Sequence, residues 1–330
     1  MNLKESKYSN LALVREMMET IDVVRNFNPS VSEPFTEPIK KKKTLFATGE
    51  GSSRIFPAKR SIYASMQRNG FTILTEGASQ ALEYELNDLA VFGASNSGKT
   101  KEVIRLFSKL KEAGHECYFG LTAFQETPLA NLSRGVHVLS CGKEDAVAAT
   151  KSVIEQGLFY DSLLRNLDGL PMEGLDKLAA DIETALTMNL DAGLISSIKN
   201  ADTIMFAGRN TGVAEELRLK TNEITRKKSD FLEGTYAVHG IEEVMNQNDV
   251  VIAIEPFESE EEKFKECLVD GIGLKVIAVS TRETMFPTIT IPDGGEYANY
   301  VELAAGWNIL VETGLALGIN PDKHVRARKV

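Results

Sequence analysis

DLAVFGASNSGKTKEVIRLFSKLKEAGHECYFGLT, residues 88–122, has a counterpart later in the same chain: DVVIAIEPFESEEEKFKECLVDGIGLKVIAVST, residues 249–281. Each reads as an apolar strand, a turn, an amphipathic helix and a second apolar strand. A second pair, TLFATGEGSS near 44–53 and DTIMFAGRNTG at 202–212, repeats at a similar separation. Two copies of one unit are the simplest account. Strands alternating with helices imply βαβ crossovers and a parallel sheet in each copy. The expected fold class is α/β, with two repeated parallel-sheet α/β/α domains.

The rest of the chain is placed around these repeats. Residues 10–27 have apolar residues at helical spacing. Residues 28–38 hold Pro29, Pro34 and Pro38 and read as an extended connector. The first half then reads as strands at 44–49, 71–77, 88–94, 116–123 and 135–140, with helices at 52–70, 99–114 and 151–166. Residues 167–175 break the pattern, and 174–199 read as one long helix. The alternation restarts with strands at 202–208, 230–236, 249–256, 274–281 and 286–292. Helices fall at 211–227, 259–271 and 300–318, before a basic tail. The expected domains are an N-terminal helix and connector (1–38), a first α/β domain (39–170), a second (171–318) and a tail (319–330).

Composition bounds the function. The 330 residues carry 37 basic and 47 acidic side chains, a net charge of −10. That argues against nucleic acid or an anionic membrane as partner, since both attract basic surfaces. No segment reaches the apolar length of a membrane span, and MNLKESKYSN is too polar for a signal peptide. Cys117, Cys141 and Cys267 are few and scattered, which fits a reducing compartment. A cytoplasmic protein is expected. His115, His137, His239 and His324 form no pair at ligand spacing, so no metal is expected, nor any other cofactor.

The turns of the two copies differ in chemistry. The first turn is SNSGKT, 95–100, and the second is EPFESEE, 255–261. A helix N-terminus with small hydroxyl residues and glycine accepts an anion, and carboxylates repel one. One anion site is expected, in the first copy. Gly93, Gly98, Lys99 and Thr100 also fit the P-loop spacing G-x-x-x-x-G-K-[ST], and VVIAIE ending at Glu255 resembles a Mg2+-holding strand. But SNSGKT follows the third strand rather than opening the domain, and the repeat already explains VVIAIE as the copy of the first-half strand. The anion is therefore expected to belong to something other than a nucleotide.

Four stretches together resemble the double-SIS (sugar isomerase) family, which includes ketose/aldose phosphosugar isomerases, sugar-amine deglycases and the isomerase half of glucosamine-6-phosphate synthase. They are GEGSS (49–53), SNSGKT (95–100), AVAATKSV (146–153) and LKTNEITRKKSDFLEGTYAVHG (219–240), and the resemblance spans about residues 40–330. It implies SIS-type, flavodoxin-like domains. It also implies that Ser53, Ser95, Asn96, Ser97 and Thr100 bind the substrate's phosphate, with Ser52 and Glu50 near sugar hydroxyls and Lys151 at the entry of its helix. Glu223 is then the base that moves a proton between C1 and C2. His239, sixteen positions on, opens the sugar ring and comes from a neighbouring subunit, and Lys220 lies near the reacting oxygens. A homodimer or larger homo-oligomer with a shared site follows.

The residue types suit that chemistry. Aldose–ketose isomerisation needs one carboxylate that takes a proton and returns it to the adjacent carbon. It also gains from a cation near the enediolate oxygen. Glu223 and Lys220 are three apart on an expected helix and share a face. Some positions depart from the family pattern. Lys99 stands where an acid is usual, and Ala149 where a hydroxyl often touches the phosphate, which leaves room for a sulfonate. Arg328 aligns with the tail lysine that forms an imine in the synthases, and arginine forms none. Glutamine-dependent synthesis is not expected. The expected function is isomerisation of a phosphosugar or similar anionic sugar. The alternatives are cleavage of a sugar-phosphate amine (a deglycase or deaminase-isomerase) and a non-catalytic sugar-phosphate sensor.

Overall fold

A computed structural model describes residues 1–323 and 325–326. The strands are β1 (Thr44–Gly49), β2 (Thr72–Gly77), β3 (Ala90–Ala94), β4 (Tyr118–Thr122), β5 (Val136–Val138), β6 (Thr203–Gly208), β7 (Lys228–Glu233), β8 (Val250–Ile254), β9 (Lys275–Ser280) and β10 (Thr288–Thr290). The longer helices are α1 (Ala12–Arg25), α2 (Glu33–Lys42), α3 (Ile55–Arg68), α4 (Lys101–Glu112), α5 (Lys151–Asp168), α6 (Leu175–Thr187), α7 (Ala192–Asn200), α8 (Val213–Ile224) and α9 (Ala298–Ala316).

Two five-stranded sheets form, in the orders β2-β1-β3-β4-β5 and β7-β6-β8-β9-β10. Every pairing is parallel. Renumbered within each half, both orders are 2-1-3-4-5, the doubly wound flavodoxin-like order. The duplication read from the sequence is therefore a duplication of topology. The central strands β3, β4 and β8 are buried along their whole length, as strands covered on both faces must be.

The chain divides into two compact units. One holds residues 22–144 and 149–176, with the first sheet; the other holds Met1–Ile21, Asp145–Ala148 and, of the described residues, those from Lys177 to Arg326, with the second sheet. The N-terminal helix is shared out between the units, and the four residues 145–148 belong with the second sheet. Buried groups explain the exchange. The Tyr8 hydroxyl donates to Glu312, and the Glu16 carboxylate accepts from the Asp145 and Ala146 amides.

Two local expectations are corrected. Residues 28–38 are not an extended connector: Pro29–Ser32 form a 3-10 turn and Glu33–Lys42 form α2. Pro29 and Pro34 stand in first turns, where a missing N–H costs nothing. Phe35 then docks edge-on against Phe92, Phe119 and Phe159, with ring centroids 5.3, 5.3 and 5.8 Å away. That burial outweighs the proline signal. Likewise 174–199 is two helices. Asp191 caps α7 by accepting from the Leu194 amide, while Asn308 takes the carbonyls of Ala185 and Met188 at the end of α6.

Helix α8 packs on α9 at a close approach. A Cβ on Gly306 would lie 2.3 Å from a Leu217 methyl carbon. Gly306→Val is therefore expected to overpack this seam and destabilise the protein by about 1–3 kcal/mol, read as a lower midpoint in urea unfolding.

Candidate active site

In a doubly wound sheet, ligands bind beyond the carboxyl ends of the strands where the strand order reverses. In the first sheet that point lies between β1 and β3. The strands are in register there, Thr48 opposite Gly93, so the turns that follow them share one edge. The first turn carries Glu50, Ser52 and Ser53; the second carries Ser95, Asn96, Ser97 and Thr100. The fold thus gathers the expected anion-binding residues of this unit.

The SNSGKT turn is tightly built. The Ser95 hydroxyl lies 2.7 Å from that of Thr100, the Lys99 amide donates to Ser97 Oγ at 3.2 Å, and the Gly98 amide donates to the Ser95 carbonyl at 2.9 Å. Gly98 has φ +64°, and a Cβ there would sit 2.4 Å from Thr127. Gly49 has a similar steric role, since its Cβ would lie 2.9 Å from the Ala94 carbonyl oxygen. On the outside, Lys99, Lys101 and Arg105 line a shallow depression of about 470 Å3. Glu50 contributes a buried oxygen, Oε1, with no hydrogen-bond partner.

Glu144 was not singled out in the sequence. It is buried, and its carboxylate accepts from the Thr150 amide (2.7 Å), the Ser152 amide (3.3 Å) and hydroxyl (2.5 Å), and Asn96 Nδ2 (3.0 Å). The N-terminus of α5 is thus satisfied by the chain's own anion. Asn96 already gives one donor to it, and Lys151 is buried at the start of the same helix. An acid six residues before Thr150, the N-cap of α5, is the signal that would have pointed to Glu144.

The duplicate turn in the second unit is closed. Glu255 adopts φ +43°. Its carboxylate accepts from the Thr281 amide at 2.6 Å and the Ser280 hydroxyl at 3.0 Å. Arg209 donates to the Glu255 carbonyl and lies 4.0 Å over the Phe257 ring. The void left there measures about 10 Å3, too small for a sugar. Glu255 is thereby committed to its own sheet, not held as a metal ligand for a nucleotide.

The second unit contributes a different feature. On α8, Lys220 is 0% exposed, with its ammonium 3.1 Å from Glu216 Oε1 and 3.0 Å from Glu223 Oε2. Burial by itself would lower the lysine's pKa, but the Glu223 and Glu216 carboxylates more than offset it and hold it above its ordinary value. Lys220 is therefore a fixed cation that acts on Glu223. It is enclosed and is not among the residues that line the Glu223 cavity. Glu216, one turn earlier, was also missed by the sequence reading; its i,i+4 spacing to Lys220 is the available signal.

Glu223 is partly exposed and lines a cavity of about 500 Å3. It is the acid on a wall that also carries Arg226, Lys227, Lys323 and Arg326. Val147, from the AVAATKSV stretch, lines the same cavity. His239 lies elsewhere in this unit, exposed, after a 3-10 turn and before Gly240 at φ +105°. It is not among the residues lining the Glu223 cavity. Arg328 lies outside the described residues.

Residues 39–165 match the family model described as the SIS domain. No curated protein matches the chain by sequence. Among solved structures, the chain is similar to tagatose-6-phosphate ketose/aldose isomerase from Escherichia coli, at 15% identity and TM-score 0.81, over 96% of each chain. It is similar to the C-terminal domain of glucosamine-fructose-6-phosphate aminotransferase from Francisella tularensis, at 18% identity and TM-score 0.78, over 93% of this chain and 96% of that one. Glucosamine-6-phosphate deaminase from Thermotoga maritima gives 21% identity and TM-score 0.71, over 96% and 98%. At these identities the likeness is one of fold. Among the described residues no helix is long and apolar enough to cross a membrane.

Two outcomes are expected from the triad on α8. Lys220→Met leaves buried carboxylate charge without its partner and should cost about 3–5 kcal/mol in urea unfolding. The pH dependence follows from the raised pKa: the stabilisation is complete below the ordinary lysine value of 10.5 and is lost only as pH rises through the higher folded value. Unfolding midpoints measured from pH 6 to 9 should therefore show no pH dependence arising from Lys220.

Proposed function

From the SIS-domain match over residues 39–165, we propose that this chain is an aldose–ketose isomerase acting on an anionic sugar, a phosphosugar first. The observation that carries the reading is Glu223. It is a cavity-lining carboxylate paired with a fully buried ammonium and surrounded by cationic side chains. A base that accepts and returns one proton needs access to substrate and a fixed position, and this arrangement supplies both.

In this reading the SNSGKT turn and Ser53 hold the substrate's anionic group, with the Ser95–Thr100 hydroxyl pair opening to donate to it. Glu50 Oε1 takes a sugar hydroxyl as the donor it lacks among the described residues. Glu223 removes the proton from C2 of the open-chain aldose, and the electrons move to the C1 oxygen to give an enediolate. The cations around the cavity favour that oxygen anion. A proton passes from O2 to O1, and Glu223 returns its own proton to C1, leaving the carbonyl at C2. His239, exposed on this chain, opens the ring in a neighbouring copy, so the working form is a homodimer or larger.

The test is proton exchange at C2 in D2O, followed by NMR. The substrates are hexose 6-phosphates, an amino sugar phosphate and a hexose bearing a sulfonate. Exchange with ketose formation is expected, and Glu223→Gln should lower its rate about 10²–10⁴-fold. Ammonia release from the amino sugar would shift the reading to amine cleavage. Absence of exchange with every sugar, together with ATP hydrolysis that requires Lys99, would overturn it.

A further inference from the structure

Part of the wall around Glu223 is irregular backbone. Val147 comes from the short segment 145–148, and Pro321, Lys323 and Val325 come from the chain after α9. Such segments have no ladder of hydrogen bonds of their own, so side chains must fix where they lie. Both segments are fixed by carboxylates, and both carboxylates meet the first turns of α1.

Glu16 projects from α1 and is 5% exposed. Its Oε1 accepts from the Asp145 amide and, at 3.2 Å, from the Ala146 amide; its Oε2 is 3.3 Å from the latter. Charge-assisted bonds to two successive amides fix the direction of the segment as well as its distance. Asp322 makes the converse contact. It belongs to the tail segment, and its carboxylate accepts from the Ala12 amide at 2.7 Å and the Leu13 amide at 3.0 Å, at the positive end of α1. The same tail segment is tied to the catalytic helix from the other side. Arg226, at φ +57°, donates to the carbonyls of Asn320 (3.3 Å) and Lys323 (2.6 Å).

We propose that Glu16 is a positioning residue for the reaction at Glu223. Through Glu16 and Asp322, α1 clasps the two irregular walls of the cavity and sets their distance from the base. The inference rests on the isomerase reading of the Glu223 cavity. It gives the N-terminal helix a role in the chemistry, although none of its residues lines that cavity. The bonds of the clasp end on no residue of the SNSGKT turn, so turnover should suffer more than substrate affinity.

Glu16→Gln keeps the shape and removes the charge, and one of its two terminal atoms becomes a donor facing an amide donor. A displaced wall near a reacting centre costs about 10- to 100-fold in rate. The expected result is a fall of that size in kcat for C2 proton exchange. KM for the sugar phosphate and the thermal midpoint should stay near those of the wild type. The Asp145 and Ala146 amides should exchange hydrogen faster. Asp322→Asn should give the same split between kcat and KM, and it serves as the second variant if Glu16→Gln does not fold. Unchanged kcat in both variants overturns the proposal, as does unchanged protection of the two amides in Glu16→Gln. So does a loss of activity that follows the unfolded fraction. With an active wild type, each of these outcomes leaves the isomerase reading standing. A wild type that exchanges no sugar proton overturns that reading, and the positioning role with it.

Discussion

A helix N-terminus presents amide donors that must be satisfied, and in this protein the identity of the anion that satisfies them organises each unit. Three such places are occupied by the chain itself. Glu144 sits on the start of α5, Asp322 on the start of α1, and Asp191 on the start of α7. The turn before α4 is different. Its Ser95 and Thr100 hydroxyls bond to one another, and among the bonds described no carboxylate of the chain accepts from its backbone amides. The same electrostatic preference thus closes some helix starts and leaves one suited to a ligand.

Duplication makes the contrast sharper. Both units use the same strand order and so place a crevice at the same topological point. In the second unit that crevice is taken up by Glu255, Arg209 and Phe257. This unit instead carries the cavity-lining carboxylate Glu223, on the helix that follows its first strand. The burial of Lys220 between two carboxylates is costly unless all three groups are paired, and the pairing in turn fixes the Glu223 side chain. Stability and the position of the candidate base rest here on the same three residues.

Much of this was legible in the sequence. Strand and helix alternation, the repeat and the asymmetry between SNSGKT and EPFESEE all follow from local pattern, because side-chain period and turn chemistry are local properties. The spacing of Lys220 and Glu223 placed them on one helix face before any coordinates. The connector at 28–38 was misread because proline signals are local whereas the ring cluster that captures Phe35 is not. The break within 174–199 was missed for the same reason, since the side chain that ends α6 is Asn308.

The sequence by itself therefore determined the class of fold, its duplication, the one turn suited to an anion and the candidate base. Tertiary structure alone decided that Lys220 faces two acids and not the cavity, that Glu144 occupies the start of α5, and that Glu16 and Asp322 hold the walls around Glu223. Each of those facts depends on a partner brought close by folding or on burial of a charge. Glu16 and the amides it binds are 129 and 130 positions apart. No local pattern carries a contact of that separation, because its energy exists only once folding excludes water from the charges.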